Sequence, residues 1–517
     1  MSSGPLVRRA RRTVFAVRDR TSHIHSPFFW RVLYALLRTR VAVRCFAVTC
    51  SIAGRLAGAS GEQVVERFSH LFRNGWPHHR GTPWVNLDVS RFTARTSRRL
   101  RRASARPLRP PRPGSVPLRI GILADFDSTL TFVRPFFEQS PDDVDVLAFD
   151  LAGPDRASPY LPTLVAEYHA AERREPEQIA ELIEAAALDV LVFDAYRTDT
   201  YAILDGVSTP CIVDAGSTVD FCFHDSVAFR LYGLQQADYL PRGDRLFCAT
   251  SRAWFGPEVV FPAALLFENR LGDDPRRPFR EREPLLVFHG KLYKASRPYL
   301  ECVAALLADD SELQLVVMGR GSDEELARIA AIMRRHGADN RFHYEGEFRL
   351  HRNAAGEVDD PTWLRLAEYL RRARLAPDPW PLGGAYSRVE AYTAGAPVVH
   401  MGIRTDRESW GRPQHAVTAD HPALTIPAAT AYTVETYREL AARLLHDEEL
   451  ADAVAGQQAE LAARLCDPTR FWRDLLASYD TWLAGQSDGR AGRSRLTRAS
   501  TRARRNASRR STNSVSR

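Results

Sequence analysis

Short apolar runs alternate with amphipathic stretches along the chain from residue 116 onward. The runs have the length and the β-branched content of buried strands, and the stretches between them have the spacing of helices. Strands are predicted at residues 118–123, 144–149, 190–193 and 211–213, and helices at 130–138 and 176–187. This alternation indicates a parallel sheet with helices on both faces. A first α/β lobe is therefore expected over residues 116–282.

A second series of the same kind begins at residue 283. Strands are predicted at 285–290, 313–318 and 341–344, and helices at 297–307, 323–336, 361–373, 434–445, 449–466 and 471–483. Ser296 is a candidate N-cap for the helix at 297–307, and Pro298 lies in its first turn, where proline is tolerated. The chain is thus expected to form two doubly wound, Rossmann-like lobes that face each other across a cleft, the second over residues 283–485. The last helix is the natural candidate to cross back and tie the lobes together.

The regions outside the lobes have other compositions. Residues 1–94 are predicted to form a helical N-terminal region, in which 41–56 shows helical apolar spacing with Arg44 and Arg55 interspersed. A helix packed on the following domain is the plainer interpretation, and a helix that lies on a membrane surface is the alternative. Residues 95–115 are rich in arginine and proline, which is the composition of a linker.

Positive charge is concentrated at the end of the chain. The net charge is +8, and residues 486–517 hold ten arginines against one aspartate, which gives +9, so the other residues sum to about −1. This segment is predicted to be a disordered, solvated tail. The alternative is that the Arg-rich segments make peripheral contact with a membrane or bind nucleic acid.

Three features bear on localisation. No run of about 18 apolar residues is present, so no transmembrane helix is expected. The basic N-terminus is not followed by an uninterrupted apolar segment, which a secretory signal requires. Seven cysteines are scattered without metal-ligand spacing, which is typical of reduced thiols. The sequence predicts a cytoplasmic protein, with a peripheral location at the inner membrane surface as the alternative.

The segment 377–400 carries the strongest functional signal. Its loop ends in Gly383-Gly384, a one-sided helix of about ten residues follows, and an apolar strand closes the segment. Two glycines before a helix let a ligand approach the backbone closely, and the helix N-terminus attracts an anion such as a phosphate. Glu390 lies about one turn further along, where its carboxylate could hold the hydroxyls of a ribose. The pattern thus predicts a site for a nucleotide diphosphate.

These features resemble the two-lobed (GT-B fold) nucleotide-sugar glycosyltransferases. The tripeptide Leu292-Tyr293-Lys294, between a predicted strand and a predicted helix, is similar to a motif of the protein O-GlcNAc transferases and of the bacterial cytosolic protein N-glucosyltransferases. The resemblance covers about residues 116–485, and it is closer in the second lobe than in the first. It implies a glycosyltransferase that takes its sugar from a UDP-linked donor.

The resemblance also implies roles for individual residues. Lys294 would contact the diphosphate of UDP, Tyr386 and Ser387 would hydrogen-bond the phosphates, and Glu390 would bind the ribose. The donor site would be completed by the turn Gly383, Gly384 and Ala385 and by the backbone near Gly346.

The chain departs from the family in ways that leave the acceptor open between a protein and a glycan. After Asp125-Phe126 the family has histidines near the acceptor, whereas this chain has Asp127 and Ser128. A helix-start histidine that is common in the family is Ala385 here, and no array of about 34-residue helical repeats precedes the first lobe. Asp125, Asp127 and His289 are the candidate general bases.

The implied reaction is attack by an acceptor hydroxyl or amide on the anomeric carbon of the UDP-sugar, with UDP leaving. No residues with metal-ligand spacing are found, and a lysine with a helix dipole can stabilise the leaving nucleotide instead. A transfer that needs no metal and no cofactor is therefore expected, and it is expected to be inverting because Leu382 stands where a retaining enzyme has a carboxylate.

Three alternatives stay open at this point. A retaining GT-B glycosyltransferase of cell-envelope polysaccharide synthesis typically has a carboxylate eight positions before Glu390, where this chain has Leu382. A nucleotide-sugar epimerase can have the same fold. A non-catalytic protein that binds a nucleotide or nucleic acid would use the arginine tail as its working part.

Overall fold

The computed structural model describes residues 39–58, 61, 64–65, 92, 95–96, 98–100, 107–111, 117–124, 126, 137, 140–151, 161–172, 174–193, 199–214, 227–230, 269, 271, 276–350, 358–380, 383–384, 386–402, 426–477 and 479–484. The helix predicted at 130–138 lies almost wholly outside the described residues. Most of the region 1–94, about half of the linker and the whole Arg-rich tail also lie outside them, so the domain boundaries stay predictions.

Helix α1 (Arg40–Ala57) lies where the sequence predicts a helix. Thr39 is its N-cap, and the Thr39 Oγ1 accepts a hydrogen bond from the Ala42 N–H at 3.1 Å. One face of α1 is buried, through Val43 and Cys50 among others. Among the described residues, no helix combines the length and the apolar character that crossing a membrane requires.

Six parallel strands form the sheet of the first lobe, in the order β3-β2-β1-β4-β5-β6. This is the strand order of doubly wound nucleotide-binding folds. The helices of this lobe are α2 (Leu161–Leu164), α3 (Pro176–Ala185) and α4 (Asp199–Gly206), and α3 and α4 bury apolar residues against the sheet. The strands are β1 (Leu118–Ala124), β2 (Val144–Asp150), β3 (Glu167–Ala170), β4 (Val190–Phe193), β5 (Cys211–Asp214) and β6 (Val227–Arg230).

The second lobe repeats this plan. Its four-stranded parallel sheet has the order β10-β7-β8-β9, and β11 pairs in parallel with β12. The Ala376 N–H donates to Pro397 O at 2.8 Å and the Asp378 N–H donates to Val399 O at 3.0 Å, so the chain after β10 runs beside the chain before β11. With these bonds, the strands of the second lobe follow the order β9-β8-β7-β10-β11-β12, which corresponds to the order in the first lobe. The strands are β7 (Glu283–His289), β8 (Gln314–Met318), β9 (Phe342–Tyr344), β10 (Ala373–Leu375), β11 (His400–Met401) and β12 (Thr430–Ala431).

Helix capping follows the sequence signals in the second lobe. Ser296 is the N-cap of α5, and its Oγ accepts a hydrogen bond from the Tyr299 N–H at 3.4 Å. Ser322 and Glu325 form a reciprocal capping box at the start of α6. The helices are α5 (Arg297–Asp309), α6 (Asp323–Arg335), α7 (Pro361–Arg372), α8 (Tyr386–Thr393), α9 (Val434–His446) and α10 (Glu448–Leu465).

The sequence pattern predicts the central strands of the first sheet and misses its edges. The predicted strands at 118–123, 144–149, 190–193 and 211–213 are confirmed within a residue or two. Strand β3 was not predicted, because the edge segment Glu-Tyr-His-Ala is polar and half-exposed and lacks an apolar run. Strand β10 was not predicted either, because it is three residues long and follows α7 without a turn.

The last described helix returns to the first lobe, as the sequence suggested. Helix α10 contributes to the core of the second lobe, through Val454 and Leu461 among others. The next helical residues, 468–477 and 479–484, form the C-terminal helix, whose Trp472 and Leu475 belong instead to the core of the first sheet, beside Ile120. Two Rossmann-like lobes in tandem are thus tied by one helix.

This tie generates a prediction about stability. Because Trp472 is almost fully buried in the first-lobe core, Trp472→Ala should lower the free energy of unfolding of that lobe by about 3–5 kcal/mol. Hydrogen exchange of the amides of β1 and β4 measures this loss locally. The exposed neighbour Arg473 provides the control, since Arg473→Ala should change the free energy by less than about 0.5 kcal/mol. Unchanged protection of β1 in Trp472→Ala would contradict the tie.

Candidate functional site

Three glycines form a wall of main chain where parallel strands of the second lobe end. Gly290 follows β7, Gly319 follows β8, and Gly346 follows β9 two residues on, with positive φ angles of 134°, 149° and 88°. The Gly290 N–H donates to Met318 O at 3.0 Å, and the Gly319 N–H donates to Gly346 O at 2.9 Å. A Cβ atom on Gly319 would lie 1.7 Å from Gly290 O, so only glycine fits there. The predicted donor residue Gly346 thus belongs to a wall at the carboxyl edge of the sheet, where ligands of such folds bind.

The Gly-Gly turn leads into α8, as predicted, although the helix has eight residues instead of about ten. Gly383 and Gly384 are both buried. A Cβ atom on Gly384 would lie 1.8 Å from the Ser387 Oγ, so the hydroxyl of the first helical turn occupies the space that a side chain would need. The first N–H groups of a helix have no partner within the helix and point toward the turn before it.

A buried ion pair that the sequence did not reveal holds this turn. The Asp378 Oδ2 accepts hydrogen bonds from the Nε and Nη2 of Arg388 at 3.0 and 2.6 Å, and the Asp378 Oδ1 accepts one from the Gly384 N–H at 2.8 Å. Only 4% of the Asp378 side chain and 1% of the Arg388 side chain are exposed. One carboxylate therefore joins the loop before the glycines, the turn itself and the helix after it.

Side chains from α5 and α9 fix the loop that contains Asp378. The Tyr299 hydroxyl donates to Pro377 O at 2.9 Å, the Tyr437 hydroxyl donates to Asp378 O at 2.9 Å, and the Ser296 Oγ donates to Trp380 O at 2.5 Å. The indole of Trp380 lies edge-on between Tyr299 and Tyr437, with ring centroids 6.3 and 6.0 Å away. The loop is irregular, but its carbonyls are bound by residues of two helices.

Lys294 lies against the Gly-Gly turn. It ends a short 3-10 helix after β7, and its Nζ donates to Gly383 O at 3.2 Å. Burial lowers the pKa of Lys294 to about 8, and the nearby carboxylate of Asp378 opposes part of that shift. The ammonium predicted to contact a diphosphate thus stands beside the helix predicted to bind it.

His289 and Glu390, which the sequence treats separately, form a buried pair. The His289 Nε2 lies 3.1 Å from the Glu390 Oε2, and the two side chains are 4% and 5% exposed. The ring of Phe348 packs at 6.2 Å from the His289 ring. A small pocket between the end of β7 and α8 is lined by His289, Asp378 and Ser387, among others.

Other predicted site residues lie outside the described part of the chain. These are the candidate bases Asp125 and Asp127 and the turn residue Ala385, and Leu382, which bears on the retaining alternative, also lies outside it. The described neighbour Phe126 donates its N–H to the Oδ1 of the buried Asp150 at 3.3 Å. The base therefore stays a prediction.

Two further observations concern polar groups. Among the described residues, no cluster of three or more histidine, cysteine, aspartate or glutamate side chains could hold a metal ion, and the expected metal independence stays a prediction.

His400, which the sequence did not single out, is fully buried beside Tyr392. Burial and the charge of Arg388 lower the pKa of His400 well below its ordinary value, so it is neutral in the folded protein.

The fold and this edge of the second sheet define a class. Two Rossmann-like lobes with the same strand order, tied by a C-terminal helix, constitute the GT-B fold of nucleotide-sugar glycosyltransferases.

Comparison with solved structures agrees with this fold. The chain is similar to a mutant of the O-GlcNAc transferase from Thermobaculum terrenum, at 16% identity and a TM-score of 0.54 over 87% of this chain and 86% of that chain. Sucrose-phosphate synthase from Thermosynechococcus elongatus matches at 14% identity and a TM-score of 0.47, over 71% of this chain and 100% of that one. Anabaena HepE in complex with UDP matches at 10% identity and a TM-score of 0.47, over 70% and 100%. The first likeness shows the fold.

Comparisons of sequence add no family to this result. No protein-family model matches the chain, and no curated protein matches its sequence.

The ion pair beneath the turn generates the second prediction. Asp378→Ala removes the carboxylate that binds the buried guanidinium of Arg388, so the free energy of unfolding in urea should fall by about 3–5 kcal/mol. The control replaces both charges, Asp378→Leu with Arg388→Met, and should recover most of that loss.

Both variants remove the acceptor of the Gly384 N–H. Exchange of the Gly384 amide should therefore be faster than in the wild-type protein in the single and in the double variant. An Asp378→Ala protein with wild-type stability, or a protected Gly384 amide in the double variant, would show that the carboxylate does not hold the turn.

Proposed function

We propose that this protein is a glycosyltransferase that moves a sugar from a UDP-sugar to a protein or glycan acceptor, with inversion at the anomeric carbon and without a metal ion. The GT-B fold supports a nucleotide-sugar donor, since two Rossmann-like lobes with a site at the strand ends are built for that ligand class. The likeness to an O-GlcNAc transferase supports the fold, and the resemblance at Leu292-Tyr293-Lys294 motivates a UDP-linked donor and a protein acceptor.

One observation carries the proposal, namely the position of Lys294. Its Nζ lies 3.2 Å from Gly383 O, at the turn that enters α8. A cation, a glycine turn and a helix N-terminus thus converge within a few ångströms, and each of the three favours a phosphate. Lys294 also differs from a solvated surface lysine. Its side chain is partly buried, and this burial lowers its pKa to about 8.

This arrangement suits the departure of a nucleoside diphosphate. The acceptor oxygen or nitrogen forms a bond to the anomeric carbon while the bond from that carbon to the β-phosphate oxygen breaks, and its electron pair leaves with UDP. Negative charge therefore grows on the β-phosphate in the transition state. The ammonium of Lys294, the hydroxyl of Ser387 and the N–H groups of the first turn of α8 stabilise that charge.

His289 and Glu390 act together in this proposal. The carboxylate of Glu390 binds the ribose hydroxyls, and the His289 Nε2, 3.1 Å from it, fixes its orientation. A histidine held in this way is a positioning residue, which leaves Asp125 and Asp127 as the candidates for the base that takes the acceptor proton. Gly346 and its neighbours line the donor site with backbone groups.

Two measurements test the function. Calorimetry with UDP, GDP and ADP should give the tightest binding with UDP. Incubation with UDP-sugars should release UDP, yield a product of inverted anomeric configuration and continue in EDTA. Tightest binding of GDP, a product of retained configuration or loss of transfer in EDTA would each contradict the corresponding part of the proposal, and nucleotide binding without transfer to any acceptor would favour a binding protein.

Lys294 is the most sensitive position in this mechanism. Lys294→Ala should lower turnover by roughly 100- to 1,000-fold, because one preorganised charge is lost where negative charge develops. The wild-type kcat/KM should fall as pH rises through about 8, because the ammonium is charged below that pKa and neutral above it.

Lys294→Arg is the matched variant, since a guanidinium keeps its charge beyond pH ~12. It should retain part of the turnover and move the alkaline limb of the profile upward. Near-normal turnover in Lys294→Ala, or an alkaline limb at the same pH in Lys294→Arg, would assign the charge to another group.

A further inference from the structure

Helix α1 has a second apolar face, away from the face that packs in the protein. Val41, Val48, Ile52 and Leu56 are spaced by seven, four and four residues, so they fall on one side of the helix. Their exposed fractions are 70%, 59%, 55% and 77%. Cys45 is exposed on the same side. These five residues are called the apolar stripe below.

Exposed apolar side chains are concentrated in the stripe. Eight large apolar side chains are exposed among the described residues, and four of them belong to the stripe. The other four, which are Leu108, Tyr344, Leu364 and Tyr432, lie far apart in the sequence. Single exposed apolar side chains are ordinary, whereas a continuous row of them marks an interaction surface.

Positive charge borders the stripe. Arg40, Arg44 and Arg55 are exposed on α1, and the helix contains no acidic residue. At about 100° per residue, all three arginines fall on the same side of the stripe. A partner for this surface must therefore be apolar at its centre and negatively charged along one border.

A bilayer with anionic headgroups has both properties. A nucleic acid would match the arginines but would leave the apolar side chains in water. A second copy of the chain, packed stripe to stripe through α1, would offer the arginines no carboxylate to pair with, because the helix contains none. Helices with an apolar face and adjoining basic residues lie in the plane of the bilayer interface.

We propose that α1 docks the protein on an anionic lipid bilayer. The apolar stripe enters the boundary between headgroups and acyl chains, and Arg40, Arg44 and Arg55 bind the lipid phosphates. The three arginines keep the helix at the surface, because charge is costly at the centre of a bilayer. This proposal does not depend on the enzymatic activity.

Flotation of the full-length protein with vesicles tests the docking surface. The vesicles contain phosphatidylcholine alone or equal parts of phosphatidylcholine and phosphatidylglycerol. Binding should be stronger to the mixed vesicles than to phosphatidylcholine alone. The paired substitution Val48→Gln with Ile52→Gln should weaken that binding at least about tenfold, because two branched apolar side chains leave the bilayer.

Repeating the assay in ~1 M salt separates the stripe from the Arg-rich tail. The Debye length is then about 3 Å, so attraction of the tail is screened while the apolar contribution persists. The wild-type protein should keep part of its binding under these conditions, and the paired variant should lose it.

Matched variants keep the test decisive. Leu364→Gln with Tyr432→Gln removes two similarly exposed apolar side chains elsewhere and should leave vesicle binding unchanged. Val41→Gln with Leu56→Gln, at the two ends of the stripe, should repeat the loss and covers the case in which the first pair fails to fold.

Three outcomes would overturn the proposal. The first is wild-type vesicle binding by both stripe variants, and the second is equal binding of the wild-type protein to vesicles of phosphatidylcholine alone. The third is a lipid-free dimer that the stripe variants dissociate, which would identify a second copy as the partner.

Discussion

The geometry of the Gly-Gly turn and of α8 depends on the carboxylate of Asp378, which is buried and shared between Arg388 and the Gly384 N–H. A buried charge pair gives little net stability, because both ions lose their hydration. Its effect here is to orient α8 relative to the turn before it. The guanidinium comes from the buried side of α8 and the N–H from the turn before it, so a single acceptor sets the angle at which the helix leaves the turn. The position of the first N–H groups of α8 follows from that angle.

The loop around Asp378 shows how irregular backbone can be as well ordered as a strand. Its carbonyls accept hydrogen bonds from the hydroxyls of Ser296, Tyr299 and Tyr437, which come from the cap of α5, from α5 itself and from α9. These helices belong to the apolar core of the second lobe. Buried polar groups are costly unless satisfied, and this layer satisfies them while it ties the loop to the core.

The sequence predicted those elements whose structure depends on residues close together in the chain. Runs of valine, isoleucine and leucine predicted the central strands, and Ser296 predicted a helix start. The edge strand β3 and the short β10 lack such runs. In the site, the paired glycines and Lys294 were found because residue type and position suffice. The contact of His289 with Glu390 joins residues 101 positions apart, and that of Asp378 with Arg388 crosses a turn, so no periodicity predicts either.

Under the proposed function, the wall formed by Gly290, Gly319 and Gly346 has a consequence for how this protein could acquire a new donor. Its surface is main chain, and the space beside Gly319 is filled by the carbonyl of Gly290. A side chain at Gly319 would clash with that carbonyl, and a side chain at Gly290 or Gly346 would have to adopt a strained positive φ. Insertions or deletions in the loops after β7, β8 and β9 would instead move whole segments of backbone. Directed evolution of donor preference should therefore begin with libraries of loop length.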